Sequence, residues 1–515
     1  MFARIFSGAV LGLDGYIVEV EVDMAQGLPS FEVVGLPNAA VRESRDRVRA
    51  AIKNTGYSFP LRRVTVNLAP ASVKKEGAAF DLPVAIGILV AMGEVSQGAA
   101  SHFLIAGELS LAGGARPVPG ILPMAAAARR HKLDGILIPA GNAEEASLVE
   151  ELPAYPVGDL REAVEFLSGG KKIGRYEGKA TRFAASPDGA PDFSEVQGQE
   201  AAKRALEVAA AGAHNVLMVG PPGSGKTMLA RRVPTIMPEM TREEALEVTK
   251  IYSIAGLLPA GGGLVGGRPF RTPHHSATVA GLIGGGAQAR PGEVTLGHHG
   301  VLFLDELSEF RTEALEALRQ PLEDGMVTIA RAQATLSYPA QFQLLAAQNP
   351  CNCGFFGDPA RVCTCTEAQR RMYRARLSGP FLDRIDIYLN VPRSVGADSS
   401  QSVDLLSPTV PESSSAIRGR VEEARLRQRK RFAGTGIGAN ARMRMGEIRR
   451  YCGLDARTRV LLDTAARQLG LTTRAQVRLL KVARTIADLA GAEKIGLEHL
   501  AEAVNYRGRG LTGFN

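Results

Sequence analysis

Eight residues, Gly220-Pro221-Pro222-Gly223-Ser224-Gly225-Lys226-Thr227, follow the apolar run HNVLMV and precede MLARRV, so a glycine-rich loop joins a strand-like segment to a helix-like one. Phosphate cradles are built in that order. Glycines remove the Cβ atoms that would keep backbone N–H groups away from phosphate oxygens, and the N-terminus of the following helix adds positive potential. Lys226 is placed to reach the β- and γ-phosphates, and Thr227 to ligate Mg²⁺. The chemistry indicated is binding of magnesium-bound ATP and transfer of its terminal phosphoryl group to water.

A second run, Gly300-Val301-Leu302-Phe303-Leu304-Asp305-Glu306, has the continuous apolar pattern of a strand buried on both faces and ends in two acids. Burying two carboxylates at a strand end is expensive unless they have work or partners. Asp305 is read as the acid that holds Mg²⁺ through water, and Glu306 as the group that orients or deprotonates the attacking water. A third apolar run, Gln341 to Ala347, ends in Gln348-Asn349. That predicts Asn349 at a neighbouring strand end, within reach of the γ-phosphate, with an ordinary turn residue before Pro350 as the alternative. Phosphoryl transfer depends on positioning and charge neutralisation, so arginines from outside the pocket are expected. Arg384, in GPFLDRID, and Arg474 are the candidates; surface ion pairs are the alternative for each.

The elements that must hold these groups lie in a chain of 515 residues with 61 Lys+Arg against 53 Asp+Glu, a formal charge of +8. A composition of 45% hydrophobic and 22% charged residues is that of ordinary globular protein and excludes collagen and disorder. Length alone argues for about three or four domains. The apolar run from Leu82 to Gly93 is interrupted by Pro83 and too short to span a membrane. Arg4 and the apolar stretch to Leu13 lack a small-x-small cleavage site. Five cysteines, four of them between Cys351 and Cys365, make no disulfide framework. A cytoplasmic protein with no membrane partner is expected. Tryptophan is absent and aromatics are 5%, which disfavours base stacking as the main mode of nucleic-acid binding.

Linker-like composition at 169–191 and 393–415 divides the chain into 1–168, 192–392 and 416–515. The first segment mixes strand-like runs (YIVEVEVDM, RRVTVNLAP, DGILIPA) with Ala-rich helical stretches at 38–54 and 122–130, which predicts an α/β or α+β domain. The last, with apolar residues near a 3.6 spacing in 458–469, 474–490 and 497–505, predicts a helical bundle.

Taken with RPFRTPHHS from Arg268, PGEVTLGHHG, AAQNPC and GPFLDRIDIYL, the glycine-rich loop and the VLFLDE strand resemble the YifB/ComM family of magnesium-chelatase-like AAA+ ATPases. The resemblance extends over nearly the whole chain through GLPSFEVVGLP, ESRDRVRAAIKNTGYSFP, RRVTVNLAPA, KKEGAAFDLPVAIGIL and VARTIADLAG. It implies an α/β P-loop AAA+ core, an N-terminal domain similar to the Lon protease domain and ribosomal S5-like folds, and a helical C-terminal lid. Implied roles are Asn349 as first sensor, Arg384 as an arginine finger given to the neighbouring subunit, and Arg474 as second sensor arginine. The implied assembly is a homo-hexamer that encircles DNA, single-stranded or branched. The activity the resemblance implies is that of a helicase in branch migration of recombination intermediates during natural transformation, beside recombination proteins. Where the Lon pattern has its Ser-Lys dyad, this sequence has Ala79 and Pro123, neither of which supplies a nucleophile or an amine. Ser72 and Lys75 lie nearby without a dyad's spacing.

Cys351-x-Cys353-(x9)-Cys363-x-Cys365 supplies four thiolates, enough for a tetrahedral Zn²⁺, although C-x-C is less common than C-x₂-C; reduced, metal-free cysteines are the alternative. Two histidine pairs, His274-His275 and His298-His299, have no assigned role. Alternation in Val327–Pro339 predicts a hairpin with Arg331 at its tip, facing DNA phosphates or simply solvated. The rival functions are a metal-chelatase motor subunit, an ATP-dependent protease disfavoured by Ala79 and Pro123, and a nucleotide-switched scaffold.

Overall fold

The computed structural model describes residues 1–73, 75, 77–178, 191–258, 262–286, 290–330, 335–393 and 412–512. It divides into two compact units, Met1–Ala184 with Arg242–Gly266, and Ala185–Thr241 with Gly267–Asn515.

In the first unit, alternation of apolar and polar residues in Asp14–Ala25 gives an alternation of buried and exposed positions. That strand turns back through Gly12, at φ 65°, to pair antiparallel with Phe2–Leu11. Seven strands form one mixed sheet in the order Ser30–Val34, Arg63–Ala69, Asp14–Ala25, Phe2–Leu11, Phe103–Ile105, Gly135–Pro139 and Ala154–Val157. The helix Asp81–Met92 is buried along almost its whole length. A Cβ on its Gly87 would meet the Val22 side chain at 2.8 Å, so glycine there sets how closely helix and sheet approach. Asp81 at the start of this helix is fully buried and bonded by Arg47 at 2.7 and 3.1 Å and by the Leu109 amide at 3.2 Å. Burial still raises its pKa. Ala79 is buried in one apolar cluster with Leu122 and Met124, which flank Pro123. Fully buried Lys75 donates to the Pro70 carbonyl rather than to Ser72, which is exposed.

Two boundaries differ from the reading of the sequence. Arg242–Gly266 falls inside the segment expected at 192–392 yet belongs to the first unit. Its helix, Arg242–Ala255, turns Ser253 onto the buried carboxylate of Glu145 and accepts the Gly120 amide at 3.1 Å on the Ser253 carbonyl. Glu145 also accepts the Leu122 amide at 2.8 Å, and burial raises its pKa. Polar groups this deeply buried require such partners, and composition alone does not reveal them. Within the expected linker at 169–191, Tyr176 is fixed by its amide on the Ala154 carbonyl and its hydroxyl on Glu144, at 2.8 and 2.6 Å.

The second unit holds a parallel five-stranded sheet in the order Phe270–Arg271, Val301–Leu304, Gln343–Gln348, Val216–Val219 and Ile387–Asn390. Its central strands are buried throughout, as a parallel sheet covered on both faces demands. The C-terminal helices Ala456–Gln468, Thr473–Leu489 and Leu497–Thr512 are those expected from apolar periodicity, and the charged helix Ser414–Arg431 precedes them. They do not stand as a unit of their own, because Ile417, Val421, Leu479, Val482 and Leu500 share one apolar core with Leu206, Leu229 and Val233.

A polar network crosses this core. Asp386 accepts the Asn215 amide at 3.0 Å and the Arg478 guanidinium at 2.7 Å, with His214 Nδ1 at 3.6 Å. Burial alone would raise the Asp386 pKa, but Arg478 and His214 outweigh it and hold the carboxyl well below the usual range. Desolvation lowers the pKa of His214, which is fully buried and bonded to Thr485 at 2.7 Å. Arg478 thus ties the helix Thr473–Leu489 to the base of the strand that leads into the glycine-rich loop. Removing one partner of a buried pair leaves a charge uncompensated. Arg478→Ala is expected to cost about 3 kcal/mol in urea denaturation, with Asp386→Asn in the same chain recovering part of the loss. An unchanged midpoint for Arg478→Ala would show that the pair contributes nothing to stability.

Candidate functional site

The expected phosphate-binding groups converge where the parallel strands end. Gln343–Gln348 lies between the strand that enters the glycine-rich loop and the strand that ends at Asp305, pairing Val219 with Gln348 and Leu304 with Ala346. Asn349 therefore emerges between the loop and the acids. The Gly220 amide donates to the Gln348 carbonyl at 3.2 Å.

Within the loop, Gly223 and Gly225 have φ of 76° and 87°, which strain any side chain. A Cβ on Gly220 would come within 2.1 Å of the Val391 carbonyl oxygen. The loop opens into the helix Lys226–Ile236. Lys226 is nearly buried and donates to the carbonyls of Gly220 and Pro221 at 2.7 and 2.9 Å and to Asn349 Oδ1 at 3.3 Å. Burial pushes its pKa down to about 8, while Asp305 pulls the other way. Such an ammonium, held by the neutral oxygens of two carbonyls, an amide and the Ser224 hydroxyl, is matched to an incoming polyanion.

Thr227 Oγ1 donates to Asp305 Oδ2 at 2.7 Å, and Asp305 Oδ1 accepts the Glu306 amide at 3.0 Å. The hydroxyl and the carboxylate are hard oxygen donors, the set that suits Mg²⁺ with its retained waters. Glu306 departs from the expectation that both acids are buried. Its backbone turns to φ 51° and leaves the side chain about 60% exposed. His275 Nδ1 stands 3.5 Å from Glu306 Oε2. Sequence reading left His275 without a role, since nothing local signals a pairing across so many residues.

Other expected residues lie apart from this cluster. Arg384 is buried, with its guanidinium on Glu323 and on the Pro380 carbonyl of its own chain. A buried cation requires such partners; as an arginine finger it would have to exchange Glu323 for phosphate. Arg474 is exposed in the first turn of Thr473–Leu489, whereas Arg478, one turn on, is the residue that reaches Asp386. The hairpin is present, with Met326–Ala330 antiparallel to Thr335–Pro339, but Arg331 lies outside the described residues. His298 is buried and accepts the Gln341 amide at 3.0 Å. Cys351, Cys353, Cys363 and Cys365 gather their sulfurs within 4.8 Å of one another.

Comparison with known proteins agrees over most of the chain. Residues 192–399 match the family model for magnesium chelatase, subunit ChlI; residues 20–142 match that for subunit ChlI of Mg-chelatase, and 411–507 that for its C-terminal part. A protein of Mycobacterium tuberculosis is 43% identical over 508 residues, 98% of this chain and 99% of that protein. YifB of Salmonella typhimurium is 42% identical over 506 residues, 98% of this chain and 97% of its own length. The competence protein ComM of Haemophilus influenzae is 42% identical over 508 residues, with the same coverage. The chain belongs to the YifB/ComM family of magnesium-chelatase-like AAA+ ATPases. Its parallel sheet, with a glycine-rich loop at one strand end and a carboxylate at the end of the next strand but one, is the α/β core that membership implies.

The low pKa of Lys226 gives nucleotide binding a pH dependence with a defined sign. Only the protonated ammonium pairs with phosphate, and in the free protein it is lost above about pH 8. The apparent Kd for a fluorescent ATP analogue is expected to be flat below that value and to rise by up to about tenfold per pH unit above it. A Kd that stays level to about pH 10 would show that the Lys226 charge does not govern binding.

Proposed function

We propose that this protein is a cytoplasmic, homo-hexameric ATPase that couples ATP hydrolysis to movement along DNA, promoting branch migration of recombination intermediates. The observation that carries the hydrolytic part is the convergence of Lys226, Thr227, Asp305 and Asn349 at the ends of three neighbouring parallel strands. Support for the DNA part comes from the name of the Haemophilus influenzae relative, a competence protein, and from the antiparallel pairing of Met326–Ala330 with Thr335–Pro339, the hairpin that this reading requires.

In this reading Lys226 exchanges the Gly220 and Pro221 carbonyls for β- and γ-phosphate oxygens. Mg²⁺, held by Thr227 and Asp305, neutralises charge on those oxygens when it is bound with ATP. Glu306, kept accessible by its left-handed backbone and faced by His275, takes a proton from the attacking water. The water oxygen bonds to the γ-phosphorus, the bond to the bridging oxygen breaks, and ADP leaves with the electron pair. Asn349 holds the water or the γ-phosphate. Arg384 from a neighbouring subunit, with Arg474 in the lid, neutralises charge in the transition state. The segments 1–168, 192–392 and 416–515 then serve as a Lon-like platform without a catalytic dyad, an AAA+ core and a lid. The four thiolates hold a structural Zn²⁺.

The names of the matching family models favour a second reading, the motor subunit of a metal chelatase. ATPase assays with and without branched or single-stranded DNA separate the two. Stimulation by DNA that weakens as salt rises fits the motor, because phosphate contacts release counterions. Glu306→Gln is expected to bind ATP normally while turnover falls by at least about a hundredfold. Branch migration of a synthetic forked substrate is expected with the wild type and absent with Lys226→Ala. Indifference to DNA in both assays would remove the motor assignment, and normal turnover in Glu306→Gln would remove that residue from its role.

A further inference from the structure

The segment 351–366 contains no helix or strand and has little core of its own; Val362 is 90% exposed. What gathers it is sulfur. Cys351 and Cys353 lie 3.3 Å apart, Cys351 and Cys363 3.7 Å, and Cys353 and Cys363 3.5 Å, while the Cys353 amide donates to the Cys365 sulfur at 3.3 Å. These distances are too long for disulfide bonds. They fall near the edge of a tetrahedron with Zn–S bonds of about 2.3 Å, roughly 3.8 Å. One ion fits in that space; a multi-iron cluster does not. The Gly354 amide donates to the Cys351 carbonyl at 3.0 Å, closing the turn that follows the first thiol.

This module touches the nucleotide site through three separate elements. Gly354, at φ 85°, lies so close to the glycine-rich loop that a Cβ on it would be 2.7 and 2.8 Å from ring carbons of Pro222. Asn349, which bonds Lys226, is only two residues before Cys351. On the far side, the cysteine segment runs into the capped helix Glu367–Arg374. The Tyr373 hydroxyl accepts the Ser308 hydroxyl at 2.7 Å, and Arg376 pairs with Glu309 at 2.8 Å, both partners lying just beyond Asp305 and Glu306. Arg370 and Arg374 pack over the Phe356 ring, 4.6 and 5.5 Å from its centre, joining that helix back to the cysteine turn.

We infer that the cysteine module is a metal-locked seat for the nucleotide. A zinc ion on Cys351, Cys353, Cys363 and Cys365 fixes the turn that carries Asn349 and backs Pro222, so zinc occupancy sets ATP affinity and turnover. This rests on the nucleotide-binding reading above and is independent of DNA. A short segment without its own core gains its fold from the ion, and here the ordered turn is part of the wall around the phosphates.

The test uses full-length protein without DNA, with metal content, ATP affinity and turnover measured on the same samples. Wild type is expected to carry about one zinc per chain. The double variant Cys363→Ser, Cys365→Ser, whose altered residues are not those that touch Pro222, is expected to lose the metal and to bind ATP about tenfold more weakly. Wild type stripped by a chelator and then given back zinc provides a reversible version that needs no substitution, in which affinity falls and returns while circular dichroism holds. Gly354→Ala is expected to keep its zinc and still weaken ATP binding, since the added methyl presses on Pro222. Wild type that carries iron or no metal overturns the proposal, as does zinc loss with ATP affinity and turnover unchanged. Wild type that carries zinc yet binds no ATP overturns the nucleotide-binding reading, and the coupling with it.

Discussion

The cost of keeping a cation out of water organises the nucleotide site. Lys226 is nearly buried at the start of its helix, and its ammonium is held by two carbonyls of the loop it follows and by the side chain of Asn349. Carbonyl dipoles stabilise a buried ammonium only in part, and the downward shift of its pKa measures the shortfall. In the proposed reading a phosphate makes up that shortfall, so the cost of burying the ammonium in the free protein becomes affinity for the ligand. For this to work the loop must hold its shape without phosphate. Its surroundings are close-packed: a Cβ on Gly220 would meet the Val391 carbonyl, and one on Gly354 would meet the Pro222 ring.

Much of this was legible in the sequence, for reasons that are local. A buried parallel strand needs an unbroken apolar run, a phosphate loop needs glycines at set positions, and a strand-end acid in apolar surroundings needs work. Those rules found Lys226, Thr227, Asp305 and Asn349, and the structure brings their side chains together. The alternation in Asp14–Ala25 and the helical spacing of the C-terminal segments were readable in the same way. Pairings between distant residues were not readable. Glu145 with Ser253, Asp386 with Arg478 and Glu306 with His275 join residues whose neighbourhoods in sequence carry no sign of one another. For that reason composition alone does not assign the helix Arg242–Ala255 to the first unit, nor single out Arg478 from Arg474, four residues before it.

Arg384 marks the limit of reading roles from spelling. In GPFLDRID the arginine follows a short helix, Gly379–Leu382, and precedes the strand Ile387–Asn390, so the backbone places it at the lower rim of the sheet. Its guanidinium takes Glu323 and the Pro380 carbonyl as partners. Two residues on, Asp386 receives Arg478 and the Asn215 amide, and the Asn215 side chain donates to the Arg384 carbonyl at 3.0 Å. The arginine is thus mounted on the same hydrogen-bonded block that anchors the strand of the glycine-rich loop and the helix Thr473–Leu489.

That mounting bears on how a site shared between subunits is built. An arginine that acts in a neighbour's pocket must be charged, positioned and still able to leave its resting partner. Glu323 is about half exposed, so its pairing with Arg384 is screened on one side and weaker than a fully buried pair. The backbone beneath Arg384 is fixed by Asn215, which bonds both the Arg384 carbonyl and the buried carboxylate of Asp386. In the proposed reading, a rigid base with an exchangeable outer partner lets phosphate replace the Glu323 carboxylate without refolding the segment. The same block joins the strand of the glycine-rich loop to the Thr473–Leu489 helix, because the Asn215 amide and Arg478 share one carboxylate, Asp386.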